Sequence, residues 1–154
     1  MASRRDIRRL AFQALFQIDA TQGEGDAASI IEATASEDEL KLANRERRAA
    51  VELAEGAWTT REASDATMVE LAPTWPAHRQ AAVDRAILRL AHYEMTAGIS
   101  PPKAVVNDAV ELAKTFSTDK SPAFVNGLLD KVLKRVEAAN RAADAPPEPT
   151  SGSA

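Results

Sequence analysis

The sequence predicts an all-α protein, an irregular bundle of about six to seven helices, and three observations carry that reading. Alanine, leucine, glutamate and arginine dominate, whereas aromatics make up 5% of the 154 residues and there are only 6 glycines. That composition favours helices over a sheet, whose pleated surface wants β-branched and aromatic side chains. Apolar residues recur at three- and four-residue spacing in segment after segment, and the segments are punctuated by proline, glycine and serine at capping positions. No repeat of solenoid length is visible, which leaves a bundle of unequal helices.

The first helix is predicted over about 4–20. Ser3 followed by Asp6 resembles a capping box, and Ile7, Leu10, Ala11, Ala14 and Ile18 share one face, with Leu15 at its edge. Arg5, Arg9, Phe12 and Phe16 form a second stripe. Gly23 and Gly25 break the chain, and Asp26 opens a short helix to about residue 35. A helical pattern through Val51, Ala54 and Trp58 then resumes at Met68 and Ala72, with Gly56 and the in-register Asp65 arguing against an unbroken rod. Pro73 and Pro76 stop it around Trp75. The next helix, about 79–97, buries Val83, Ala86, Ile87, Leu90 and Met95 and ends at Gly98. Pro101 and Pro102 start another to about Phe116, because proline is tolerated where an amide needs no partner. Ser121 and Pro122 read as N-cap and first residue of a last helix carrying Val125, Leu128, Leu129, Val132, Leu133 and Val136. Residues 1–137 are therefore expected to form one domain. Residues 138–154, with no apolar period, are expected to be a disordered tail.

Several function classes are excluded at this level. Without cysteine there is no disulfide framework, thiolate metal site or thiol nucleophile. No signal-length or membrane-spanning apolar run appears, so a soluble cytoplasmic protein is expected. The sequence shows no glycine-rich phosphate loop and no nucleophile elbow. His78 and His92 lack the spacing of a helical zinc motif and read as surface or boundary residues. No enzyme activity, cofactor or metal is expected.

Charge is segregated along the chain. The net charge is −4, yet residues 1–9 hold Arg4, Arg5, Arg8 and Arg9 against Asp6 alone, while residues 21–39 hold six acids and no lysine or arginine. Local charge is what phosphates feel, so the N-terminal arginines are either a solvated helix end or an electrostatic footprint for nucleic acid. Phe12 and Phe16 beside them either pack under another helix or face a partner. Phe124, in the first turn of the last helix, is either a core residue or a platform for a base. Asn126 suggests a buried hydrogen-bond link and Gly127 a close helix approach.

The order of these features resembles the NusB transcription antitermination factors. The resemblance rests on Arg4-Arg5 with Arg8, Ala11 and residues 13–16, on residues 83–90 with Tyr93-Glu94, on residues 103–114 with Phe116, and on residues 124–131. It implies two packed helical subdomains and an activity: binding boxA RNA of ribosomal transcripts as a heterodimer with NusE, a small-subunit ribosomal protein, in an antitermination complex with RNA polymerase. By the resemblance, Arg4, Arg5, Arg8 and Phe124 are expected on the RNA side and Phe16 and Asp84 on the NusE side, with Phe12 beside Phe16. Lys120 stands where an acidic residue is familiar and is expected to add to RNA attraction. Asp108 replaces a commoner glutamate. A NusB-like domain joined to an RNA methyltransferase leaves no room here for the cofactor-binding module. A helical scaffold contacting only proteins is the alternative of a different class.

Overall fold

The computed structural model describes residues 4–34, 36–37 and 41–144. Among them are seven α-helices and no strand: α1 (Arg4–Ala20), α2 (Ala27–Thr34), α3 (Asn44–Thr59), α4 (Arg61–Leu71), α5 (Ala82–Thr96), α6 (Pro102–Phe116) and α7 (Ser121–Asp144). A single 3₁₀ turn, Ala77–Arg79, leads into α5.

The helix ends follow from local chemistry. α1 closes with Gln22 at φ 56° and the amide of Gly23 donating to the Ile18 carbonyl, a left-handed cap that satisfies otherwise orphaned carbonyls. The Asp26 carboxylate accepts from the Ser29 amide at 2.7 Å and caps α2. That bond, aided by the Ser29 hydroxyl, holds the Asp26 carboxyl below its ordinary range. The expected long helix divides at Thr60, whose hydroxyl donates to the Gly56 carbonyl at 2.8 Å. Gly98, at φ 67°, ends α5 with the Ile99 amide reaching back to the Glu94 carbonyl. The proposed Ser3 cap lies outside the described residues.

Two boundary expectations are corrected. Ser121 is the first helical residue of α7, and its hydroxyl points sideways to Asp84 at 2.9 Å. α7 also runs on past Glu137 to Asp144. The segment 138–144 is exposed throughout but rich in alanine, so intrinsic propensity continues the helix where no apolar period does. The rest of the expected tail, residues 145–154, lies outside the described residues.

α5 is the central element: it packs against α1, α3, α4, α6 and α7. α1, α2 and α3 pack together on one side of it and α6 and α7 on the other, with α4 reaching both α5 and α7. Leu10 and Leu15 of α1, Ile87 and Leu88 of α5, Val105 of α6 and Leu129 of α7 are fully buried in one continuous core. The close helix approach occurs at Gly56, where an added Cβ would lie 2.1 Å from the Tyr93 ring, and not at Gly127, which has nothing within 4 Å. Asn126 is exposed, so it is no buried link.

Candidate functional site

Two groups of buried charge fix α1 against the rest of the bundle. Arg8 is 5% exposed, and its Nε lies 3.0 Å from each carboxylate oxygen of Glu94. Its terminal nitrogen pairs with Asp108. Burial pushes the Glu94 carboxyl above its ordinary range, with Arg8 pulling the other way. Three turns on along α1, Asp19 accepts from Arg85 Nε at 2.9 Å and from Arg89 at 3.3 Å, and Arg89 also grips Asp65 through two bonds of 2.9 and 2.7 Å. Burial works against the charge of Arg89, but the Asp65 and Asp19 carboxylates outweigh it and raise its pKa. This explains why an aspartate interrupts the apolar register of α4.

The basic N-terminus is thus divided. Arg4 and Arg5 are exposed, Arg5 keeping 61% of its side chain in solvent while touching Asp108 at 3.4 Å. Arg8 points into the protein, which corrects its expected phosphate contact: its charge is already matched by two carboxylates. Arg9 is exposed and lies over the Phe116 ring at 5.4 Å.

The two phenylalanines of α1 also separate. Phe12 is 3% exposed and packs on Phe116 with ring centroids 5.2 Å apart, so it is a core residue and not a partner contact. Phe16 is half-buried at the rim of a groove of about 270 Å³ lined by Phe12, Gln13, Phe16, Gln17, Val83 and Phe116. Gln13 Oε1 is buried with no hydrogen-bond partner among the described residues.

At the other end of α5, Asp84 is 7% exposed and accepts hydrogen bonds from the Ser117 and Ser121 hydroxyls at 2.7 and 2.9 Å. Its carboxylate is turned inward, which corrects the expectation of a direct partner contact. It ties the start of α7 to α5, and so positions Lys120 and Phe124. Lys120 is exposed; Phe124 is half-buried, edge-on to Trp75 at 6.2 Å. Lys120 and Phe124 line a cleft of about 510 Å³ with Trp75, Thr74, Ala72 and Ala81. Asp84 and Glu94 lie ten residues apart on α5, roughly 15 Å along the axis. The exposed arginines and the Phe124 cleft therefore mark opposite ends of one helix.

Trp75 and Arg79 were not singled out from the sequence, although the signal existed. A tryptophan between Pro73 and Pro76 belongs to no apolar stripe, and such a residue tends to stay at the surface. His92 is corrected in the other direction. It is 7% exposed, 2.7 Å from the Ser64 hydroxyl, and burial lowers its pKa. Among the described residues no cluster of three or more His, Asp or Glu side chains is placed to hold a metal. No described helix is long and apolar enough to cross a membrane. A wider cleft of about 670 Å³, lined by the C-terminal turns of α5 and by α7 from Val132 to Asn140, contains none of the expected site residues.

The arrangement matches known proteins along nearly its whole length. The chain is 44% identical over 149 residues to the transcription antitermination protein NusB of Symbiobacterium thermophilum, covering 93% of this chain and 97% of that one. Its counterpart in Herpetosiphon aurantiacus is 40% identical, with 87% and 92% covered. Among solved structures, NusB of T. maritima superposes with a TM-score of 0.76 at 30% identity, covering 86% and 92%. A crystal structure of the antitermination factors NusB and NusE in complex with dsRNA gives 0.74 at 25% identity, covering 86% and 96%. The model of the NusB family matches residues 5–134, from α1 into α7, and the chain belongs to that family.

Proposed function

We propose that this protein is a transcription antitermination factor that binds single-stranded boxA-like RNA of ribosomal transcripts together with the ribosomal protein NusE, within an elongating RNA polymerase complex. The observation that carries this reading is the similarity along almost the whole chain to relatives bearing that name, with a solved neighbour that holds NusB, NusE and RNA. Its action is binding, without catalysis, in the cytoplasm where transcripts are made. Residues 1–137 are read as one RNA-binding unit.

The exposure of these side chains supports a division of labour. Arg4 and Arg5 are exposed cations for phosphates, Phe124 and Lys120 offer an aromatic ring and a charge for single-stranded RNA, and the groove at Phe16 is the seat of the protein partner. The test is a titration of boxA-like RNA with and without NusE over a range of salt. Binding that strengthens with NusE and weakens with salt is expected, and changing Arg4 and Arg5 to alanine should flatten the salt slope. RNA binding that is absent under both conditions would leave the protein-only scaffold as the correct reading.

A further inference from the structure

Among the large hydrophobic side chains that stay exposed in the described residues, Trp75 is the only aromatic, at 41%, beside Val69 and Ile99. An indole that faces solvent offers apolar surface for a ligand to cover. Its backbone is fixed: the Trp75 amide donates to the Ala72 carbonyl at 2.9 Å, and Gln80 Nε2 donates to the Trp75 carbonyl at 3.1 Å. The flanking Pro73 and Pro76 restrict it further. The backbone that carries the ring is thus ordered before any ligand arrives, which lowers the ordering cost of binding.

We infer that Trp75 is a second base-stacking residue beside Phe124, so that the cleft between the α4–α5 connection and the start of α7 takes two successive bases of single-stranded RNA. The inference rests on the RNA-binding reading above and assigns it a further specific residue. The two rings meet edge to face, 69° apart, so no base fits between them as in a sandwich, and the two bases would stack on separate rings. Ala72 and Ala81 add apolar lining to the cleft.

Charge favours RNA as the occupant over a protein segment. The Arg79 guanidinium lies 5.9 Å from the Trp75 ring centroid, and its hydrogen bond is a long one, 3.5 Å, to the Thr74 carbonyl. Lys120 stands exposed on the opposite rim. Neither has a carboxylate partner among the described residues, and the one acid lining the cleft, Asp84, is engaged by Ser117 and Ser121. Two unmatched cations flanking two rings suit a strand that alternates phosphates with flat bases.

Intrinsic fluorescence with a short unstructured oligoribonucleotide tests the inference on the full chain. RNA should quench the wild-type emission, and the quench should be lost in Trp75→Phe. Trp75→Ala should lower RNA affinity by about 5- to 150-fold, the loss of one stacked base, without changing the salt slope. Trp75→Tyr should retain most of the affinity, and Arg79→Ala should reduce the slope. Wild-type RNA affinity in Trp75→Ala, alongside weakened binding in Phe124→Ala, overturns this inference and leaves the RNA reading standing. A Trp75→Ala variant that loses NusE and keeps RNA overturns it in favour of a protein seat. A wild-type protein that binds no RNA with or without NusE overturns both readings.

Discussion

The guanidinium of Arg8 and the carboxylate of Glu94 face each other inside the protein, with Nε 3.0 Å from both oxygens. The two residues are 86 positions apart, so this pair joins α1 to the far end of α5. Removing one member of a buried pair strands the other's charge, which typically costs about 3–5 kcal/mol. Arg8→Ala should therefore lose stability of that order in urea unfolding, while RNA affinity per folded molecule changes little. Alanine at Arg4 and Arg5 should do the reverse, weakening RNA binding with little loss of stability, because exposed pairs contribute ~0–1 kcal/mol. Equal stability losses at Arg4 and Arg8 would contradict the division.

Phe12 and Phe16 make the same contrast in apolar terms. Phe12→Ala removes a buried ring packed on Phe116 and should cost about 3–5 kcal/mol. Phe16 is half-buried, so its truncation should cost roughly half as much and weaken NusE binding more than it weakens the fold. Chemical denaturation alongside calorimetric titration with NusE separates the two; unchanged NusE affinity in Phe16→Ala would remove the groove from the partner surface.

Asp84 works through Ser117 and Ser121. Asp84→Ala leaves both hydroxyls without their acceptor, at about 1–3 kcal/mol, and frees the start of α7. RNA affinity should fall with it, since Lys120 and Phe124 lose their support, and Asp84→Asn should recover part of both losses. Full RNA affinity in a folded Asp84→Ala protein would show that α7 needs no such anchor.

His92 makes stability depend on pH. Burial lowers its pKa in the folded state, against a weaker pull from Asp65, whereas the unfolded chain titrates near the ordinary 6.5. Between the two values the unfolded state binds more protons, so this contribution is present above about pH 6.5 and is lost as pH falls below it. Melting followed from pH 7.5 to 5.5 should show the decline, and His92→Asn should flatten it. An identical slope in the variant would assign the decline to other groups.

Most of the helices were legible without coordinates, because periodicity and caps are local. Gly98, Pro102 and the Leu10/Ala14/Ile18 face each act within a few residues of themselves. The same holds for the family, which is written in contiguous runs such as 83–90 and 124–131. What the tertiary structure alone decided was which polar residue faces water. Arg4, Arg5 and Arg8 are the same residue type in one basic run, and only the arrival of Glu94 and Asp108 from α5 and α6 makes Arg8 internal. Asp84 and Asp65 are likewise turned inward by partners distant in sequence. Burying a charge is costly unless its counter-charge comes from elsewhere in the fold, and that meeting is a property of packing that a linear pattern does not contain. Trp75 is the converse case: a large apolar ring left in solvent because two prolines hold its chain outside any helix, beside Phe124 of a helix that the fold brings to it.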